Sequence, residues 1–232
     1  SRTYRMADGS YLTEQFFEPI FKEENGSYVE IDDTLDSGGV QLFSGEQQFA
    51  NEDGLLQVGM NESAVYIEDT TITYPQGDLT HPVSKDNAVL YNSFQEQQDM
   101  QITVRSDKVF QELKFTEKPQ EALLSMKLET PYTVEEQGNA LIFKDEDGNE
   151  KAVWKAPVLE DQQHRMSLQV DTVLEEQEDG YLVTYRGDTS FFNEETAYPV
   201  VMASAYDARL QIDVDSGYIR SGSPYETSNY YD

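Results

Sequence analysis

Cysteine is absent from the chain. That removes a disulfide framework, a cysteine-ligated zinc site and a thiol nucleophile together, so stability has to come from packing and hydrogen bonds. Histidine occurs twice, at His81 and His164, and tryptophan once, at Trp154. Basic residues are scarce: 16 Lys and Arg stand against 45 Asp and Glu, for a formal net charge of −29. Phosphate backbones are held by Lys and Arg, so nucleic acid is repelled, and an anionic membrane surface is disfavoured for the same reason. No apolar run approaches the roughly 20 residues that cross a bilayer, which argues against direct membrane insertion. The opening residues, SRTYRMADGS, lack the charged start and apolar centre of a signal peptide, and no methionine begins them. The expectation is a piece of a longer protein.

What remains is a folding composition. Over 232 residues, 38% hydrophobic and 12% aromatic content is enough to bury a sizeable core. Apolar and polar residues alternate in SYVEI (27–31), LLQVGM (55–60), AVYIEDTTITY (64–74), MQITV (100–104), VFQELKF (109–115), LLSMKLET (123–130), ALIF (140–143), MSLQV (166–170) and GYLVTY (180–185). A period of two puts one face of a strand in a core and the other in water. Between these stretches lie turn signals such as Glu24-Asn25-Gly26, Gln137-Gly138-Asn139, Asp147-Gly148-Asn149 and Glu178-Asp179-Gly180. Asn, Asp and Gly tolerate the positive φ of tight hairpins. Many short strands with frequent turns predict an all-β fold, an antiparallel β-sandwich with short helical turns. No internal repeat speaks for a propeller or a solenoid.

The sandwich is expected over residues 1–205, with its body from about Ser10 to Ala205. Pro75, Gly77 and Pro82 punctuate a polar stretch and mark a candidate subdivision near 75–87. Residues 206–232 read as a linker or the start of a following module.

Arg186-Gly187-Asp188 spells a tripeptide that some adhesion receptors bind. Such a ligand has to project from an exposed loop tip. Asp188 instead suits the cap of a short turn formed by TSFFNEE, with Phe191 and Phe192 as its anchors in the core, so the tripeptide reads as a bend.

Four stretches, in order along the chain, carry a resemblance. FFEPIFKEENGSYVEIDDTL (16–35), AVLYNSFQEQQDMQITVRSDKVFQELKF (88–115), APVLEDQQHRMSLQVDTVLEEQEDGYLVTYRGDTSFFNEETAYPVVM (156–202) and DSGYIRSGSPYETSNYYD (215–232) resemble the N-terminal β-rich region of secreted Gram-positive surface proteins. These are of the wall-associated RHS-repeat and DNRLRE-domain type. The chain departs from that pattern where Ala203 and Ser204 replace an aspartate and a proline, Tyr28 a tryptophan and Gln111 a lysine. The resemblance implies an extracellular location at the cell surface or cell wall and neighbouring domains of the same polypeptide as partners. It also implies a DNRLRE-like module next in the chain, and no reaction.

Candidate chemistry is sparse. His81 lies in a proline-containing loop and His164 beside Arg165, which favours the surface for both, and no G-x-S-x-G nucleophile motif is present. With 45 acids, no carboxylate pair of the glycosidase kind stands out. Asp145, Asp147 and Asn149 alternate around Gly148 like the first part of a calcium loop, and Asp213 and Asp215 alternate near the end. Calcium is the candidate cofactor at both places, although strand-like flanks favour a hairpin at the first and a solvated strand edge at the second. Trp154 reads as a core anchor, and Tyr218, Tyr225, Tyr230 and Tyr231 as an interface toward a neighbouring module. The many aromatics leave a glycan- or cell-wall-binding groove as the alternative function, with cell-wall glycan as partner, and a divergent glycoside hydrolase as the third. The leading expectation is a non-catalytic structural and interaction module.

Overall fold

The computed structural model describes residues 2–6, 11–14, 21–24, 27–42, 45–51 and 55–208. Asp213, Asp215 and the four C-terminal tyrosines lie outside the described residues. The first strands are β1 (Arg2–Met6), β2 (Tyr11–Glu14), β3 (Phe21–Glu24), β4 (Ser27–Glu30), β5 (Asp36–Leu42) and β6 (Gly45–Asn51). Next come β7 (Val58–Met60), β8 (Val65–Ile67), β9 (Thr70–Thr73), β10 (Val83–Lys85), β11 (Ala88–Gln95), β12 (Gln98–Arg105) and β13 (Lys108–Phe115). The middle of the chain forms β14 (Ala122–Glu129), β15 (Thr133–Gln137), β16 (Ala140–Lys144), β17 (Glu150–Trp154) and β18 (Val158–Glu160). The last are β19 (Arg165–Ser167), β20 (Val170–Gln177), β21 (Gly180–Gly187) and β22 (Val200–Ala208).

These strands form an antiparallel β-sandwich. A 12-stranded sheet runs β10-β11-β12-β13-β22-β18-β19-β1-β2, with β15, β16 and β17 branching from β22. An 8-stranded sheet runs β20-β21-β14-β9-β8-β7-β6-β5, and β3 and β4 form a separate hairpin. Only the contact of β1 with β19 is parallel among the described pairings. One apolar cluster joins the sheets, taking Met100, Ile102, Leu113 and Met202 from the first and Met60, Ile72, Leu124 and Val183 from the second. The stretch between β9 and β10, residues 74–82, carries the chain from the smaller sheet to the larger, and residues on both sides of it enter this cluster.

The alternating pattern translates directly where one face meets the core, as in β13, whose residues are in turn buried and half-buried along its length from Val109 to Phe115. It fails where the chain turns without glycine. AVYIEDTTITY reads as one strand but forms two, because Glu68 takes φ 49° and, with Asp69, closes the tight turn from β8 to β9. Asp86, Gln97 and Ser106 adopt positive φ at three further hairpins in the same way. MSLQV breaks at Leu168 and Gln169, so that its last residue begins β20 on the other sheet.

Strand β22 has no clean alternation: seven of its nine residues are buried. It lies inside the sheet, paired from Val200 to Asp207 with β13. Its opposite edge is shared, with Val201–Ala203 meeting β18 and Tyr206–Ala208 meeting β17. Trp154, 1% exposed, is the core anchor the sequence suggests; its Nε1 donates to Ser204 Oγ at 3.1 Å and its ring stands edge-on to Tyr206. Ser204 faces Gln111 across the β13–β22 ladder.

Gln111 belongs to a buried polar group between the sheets. Its Oε1 accepts from the Tyr74 hydroxyl at 2.6 Å. The hydroxyls of Tyr91 and Tyr185 are buried and have no hydrogen-bond partner among the described residues. Removing one half of a buried pair costs about 1–3 kcal/mol, whereas removing an unpaired group costs little. Tyr74→Phe is therefore expected to lose that much stability, and Tyr185→Phe to stay within about 0.5 kcal/mol of the parent or exceed it. Urea midpoints of the two variants read the difference, and equal losses would refute the assignment.

Burial pushes the phenol pKa of Tyr74, Tyr91, Tyr185 and Tyr206 upward. Below about pH 10 both the folded and the unfolded chain keep these phenols protonated. Above it the unfolded chain ionises first, so stability falls by about 1.4 kcal/mol per pH unit for each tyrosine until the folded pKa is passed. Denaturation midpoints should hold steady up to about pH 10 and drop steeply above it, and a flat profile would contradict this burial.

Candidate functional site

The site begins in the sequence FQEQQDM, at the turn from β11 to β12. The ladder between these strands shifts register between Tyr91 and Gln95, and Ser93 takes φ 57° inside the shift, its N–H donating to Asp99 Oδ1 at 2.8 Å. Such a bulge re-aims the side chains that follow it. After it, Gln95 pairs with Gln98, and Gln98 pairs with Phe115 of β13, so two amides and a phenyl ring stand side by side across three strands.

Three segments wall a cleft of about 550 Å³ around this row: the turn at 76, the hairpin tip at 95–98 and the loop at 117–121. Hydrogen bonds tie them together. Asp78 N–H donates to Phe94 O at 2.8 Å, and Thr116 donates its N–H and its hydroxyl to Gln97 O. Gly77 is required at the first wall, because a Cβ there would fall 2.1 Å from the Phe94 ring. The lining is rich in amides, with Gln76, Gln95, Gln97, Gln98 and Gln120, and wholly buried Phe115 completes it. Gln95 Nε2 and Gln98 Oε1 are buried and have no hydrogen-bond partner among the described residues. Glu96, Glu117 and Glu121 outnumber Lys118 on the walls.

The sequence-predicted calcium loop is a hairpin turn braced by its own first residue. Asp145 Oδ1 accepts from Asp147 N–H at 3.0 Å and from Asn149 N–H at 2.8 Å, and the Asn149 amide reaches both carboxylate oxygens. The bonds from Asn149 hold the Asp145 carboxyl below its ordinary pKa. Asp145 and Asn149 are thus brought together. Among the described residues no group of three or more His, Cys, Asp or Glu is arranged to hold a metal. Both histidines are exposed, and His164 Nδ1 lies 2.5 Å from Glu160 Oε1.

The adhesion-like tripeptide ends a strand. Arg186 pairs with Leu123 and Asp171, and Gly187 is buried, where an added Cβ would stand 3.1 Å from Ala122 and 3.2 Å from Leu159. Asp188 caps a one-turn 3-10 helix, Thr189–Phe191, through Ser190 N–H, and bonds to the Ser190 hydroxyl as well. Those Ser190 bonds lower the Asp188 pKa. Phe191 and Phe192 are both buried.

What holds this loop down was not legible in sequence. Arg165 places its guanidinium 4.7 Å from the Phe191 ring centroid and donates to Phe191 O at 2.9 Å and Thr196 Oγ1 at 2.7 Å. Its Nε is 3.2 Å from Asp161 Oδ2, and the Asp161 side chain is 1% exposed. Asp161 also accepts from the N–H groups of Gln163, Arg165 and Ala197. The i, i+4 spacing of Asp161 and Arg165 was the available signal, but in a strand connection that spacing carries no helical meaning.

No family model, curated protein or solved structure matches the chain.

Removing one member of a buried ion pair costs about 3–5 kcal/mol, because the other charge stays behind. Asp161→Ala is expected to fall in this range, and Arg165→Ala somewhat below it because the arginine is partly solvated. Chemical denaturation measures both, and losses under about 1 kcal/mol would show that the loop is held otherwise.

Proposed function

We propose that the chain is a non-catalytic structural and interaction module of a bacterial cell-surface or wall-associated protein, extracellular, and spaced against neighbouring domains of the same polypeptide. The observation that carries this reading is the continuity of the core, in which residues from Leu35 to Ala208 form one apolar cluster shared by both sheets. A body with one shared core unfolds as a unit, and that suits a part whose task is to hold others at a distance.

The resembling stretches that lie among the described residues support the same reading, because they include residues the fold relies on. Asp33, in IDDTL, accepts from Ser106 N–H at 2.7 Å, and Leu35 is buried and donates its N–H to Asp86 O. Asp161, in APVLED, anchors Arg165, and the cis peptide Tyr198-Pro199 leads into β22. A second reading, glycan or wall binding, is favoured by the amide-lined cleft.

An antiserum against the purified module should label intact producing cells without permeabilisation. Labelling that appears only after the membrane is opened would sink the surface reading.

A further inference from the structure

We infer that the outer edge of β20, from Val173 to Gln177, is a docking site for an extended basic segment of a partner protein, added as a further strand to the smaller sheet. The edge gives the module proposed above a kind of partner, and cell-surface labelling and the titration below succeed or fail independently.

Backbone groups come first. Strand β20 ends the smaller sheet and pairs only with β21. Asp188 N–H donates to Gln169 O at 2.9 Å, so these two form a hydrogen-bonded pair. Such pairs alternate along an antiparallel ladder, and the N–H and C=O of Val170, Thr172, Leu174 and Glu176 therefore point away from β21. The Thr172 hydroxyl donates to Asn139 O at 2.7 Å, which sets the β15–β16 turn against the start of the edge. Beyond it Val173, Glu175, Glu176 and Gln177 are exposed and Leu174 is half-buried.

The other ends of the two sheets make poorer templates. Strands β2, β10 and β15 have four, three and five residues, and β5 shifts register between Ser37 and Val40. Strand β20 runs for eight residues in unbroken register with β21, and no proline, glycine or lysine lies in it. Bulges, prolines, lysines and short length are the usual means of blunting an edge, and an extended peptide gains most from an edge that lacks them.

Charge then selects the partner. Asp171, Glu175, Glu176, Glu178 and Asp179 crowd the strand and the turn after it, with no Lys or Arg in residues 170–180. Arg186 stands opposite Asp171, and Lys127 lies near Asp179. Glu175, Glu176 and Glu178 enter no ion pair among the described residues. A second copy of this chain, at net charge −29, is repelled there, as is any acidic strand. Carboxylates at an edge discourage foreign strands, and a basic strand turns that repulsion into attraction. On the outward face Val173 is 39% exposed between Asp171 and Glu175, so the fitting segment presents basic, apolar and basic side chains at every second position.

The test uses the intact 232-residue protein, labelled with nitrogen-15, and a blocked heptapeptide, Lys-Thr-Lys-Val-Val-Thr-Lys. Two further versions carry N-methyl groups on alternate residues, in the two possible phases, and a fourth has Glu for every Lys. The basic peptide should bind saturably, slow hydrogen exchange at the Leu174 and Glu176 amides, and weaken as salt is added. One methylated phase should bind and the other should not, because only one set of peptide N–H groups faces the edge. Glu175→Lys, at an exposed position, should weaken binding about tenfold with unchanged melting. Equal binding of both methylated versions would show charge attraction without a strand and overturn the site. So would equal binding of the acidic peptide, or exchange at Leu174 and Glu176 left unchanged by the bound peptide. No binding of the basic peptide would overturn the proposal and leave the module reading in place.

Discussion

The fold depends on the pairing of β22. Eight of its residues form a continuous ladder with β13, and its other edge serves β18 over one half and β17 over the other. Lys155 N–H donates to Ala205 O where the two partners part, so the ladder is not interrupted at the fork. The branch β15–β17 and the path β18-β19-β1-β2 both join the larger sheet through this strand. Its small residues at Ala203, Ser204 and Ala205 sit where three neighbouring strands converge. The Trp154 indole on Ser204 and the Tyr206 ring beside it lock the branch onto the strand.

Once that sheet is set, the loops acquire fixed positions. The Asp161–Arg165 pair fastens the segment that follows β21, and Phe191 and Phe192 close over the end of the sandwich, with Phe192 edge-on to Phe115. Phe115 also underlies the amide-lined cleft, whose other walls are bonded to the β11–β12 hairpin. The cleft is therefore a consequence of the sheet's edge geometry. Its amides are held by strands and turns that are themselves anchored in the core.

The heavy acidic charge is accommodated by keeping carboxylates on outward positions or tying them to backbone donors. Edge strand β20 buries Val170 and Thr172 and turns Asp171, Glu176 and Gln177 to water, a distribution that discourages pairing with a foreign strand. Asp78, Asp145 and Asp188 each accept hydrogen bonds from nearby N–H groups or hydroxyls, which lowers their pKa. Asp161 and Asp207 are buried, the first facing Arg165 and three backbone N–H groups, the second facing Lys155.

Alternation alone determined the all-β class and most one-sided strands, because residues such as Val109, Gln111, Leu113 and Phe115 share the inward face of β13 at a spacing of two. It also showed that Asp188 caps a turn and that Trp154 belongs in the core, since each follows from local chemistry or size. Strand β22 was hidden, because a strand enclosed on both faces loses its alternation and then resembles any apolar run. The turns at Glu68, Asp86, Gln97 and Ser106 were hidden because no glycine marks them. The cleft was hidden most completely. Gln95 and Gln98 look like ordinary surface residues until a bulge sets their register, and Gln76 and Gln120 reach the same opening only after the two sheets have packed. Local periodicity is written in the order of residues, whereas a site assembled from three separate segments exists only once long-range pairing has brought them together.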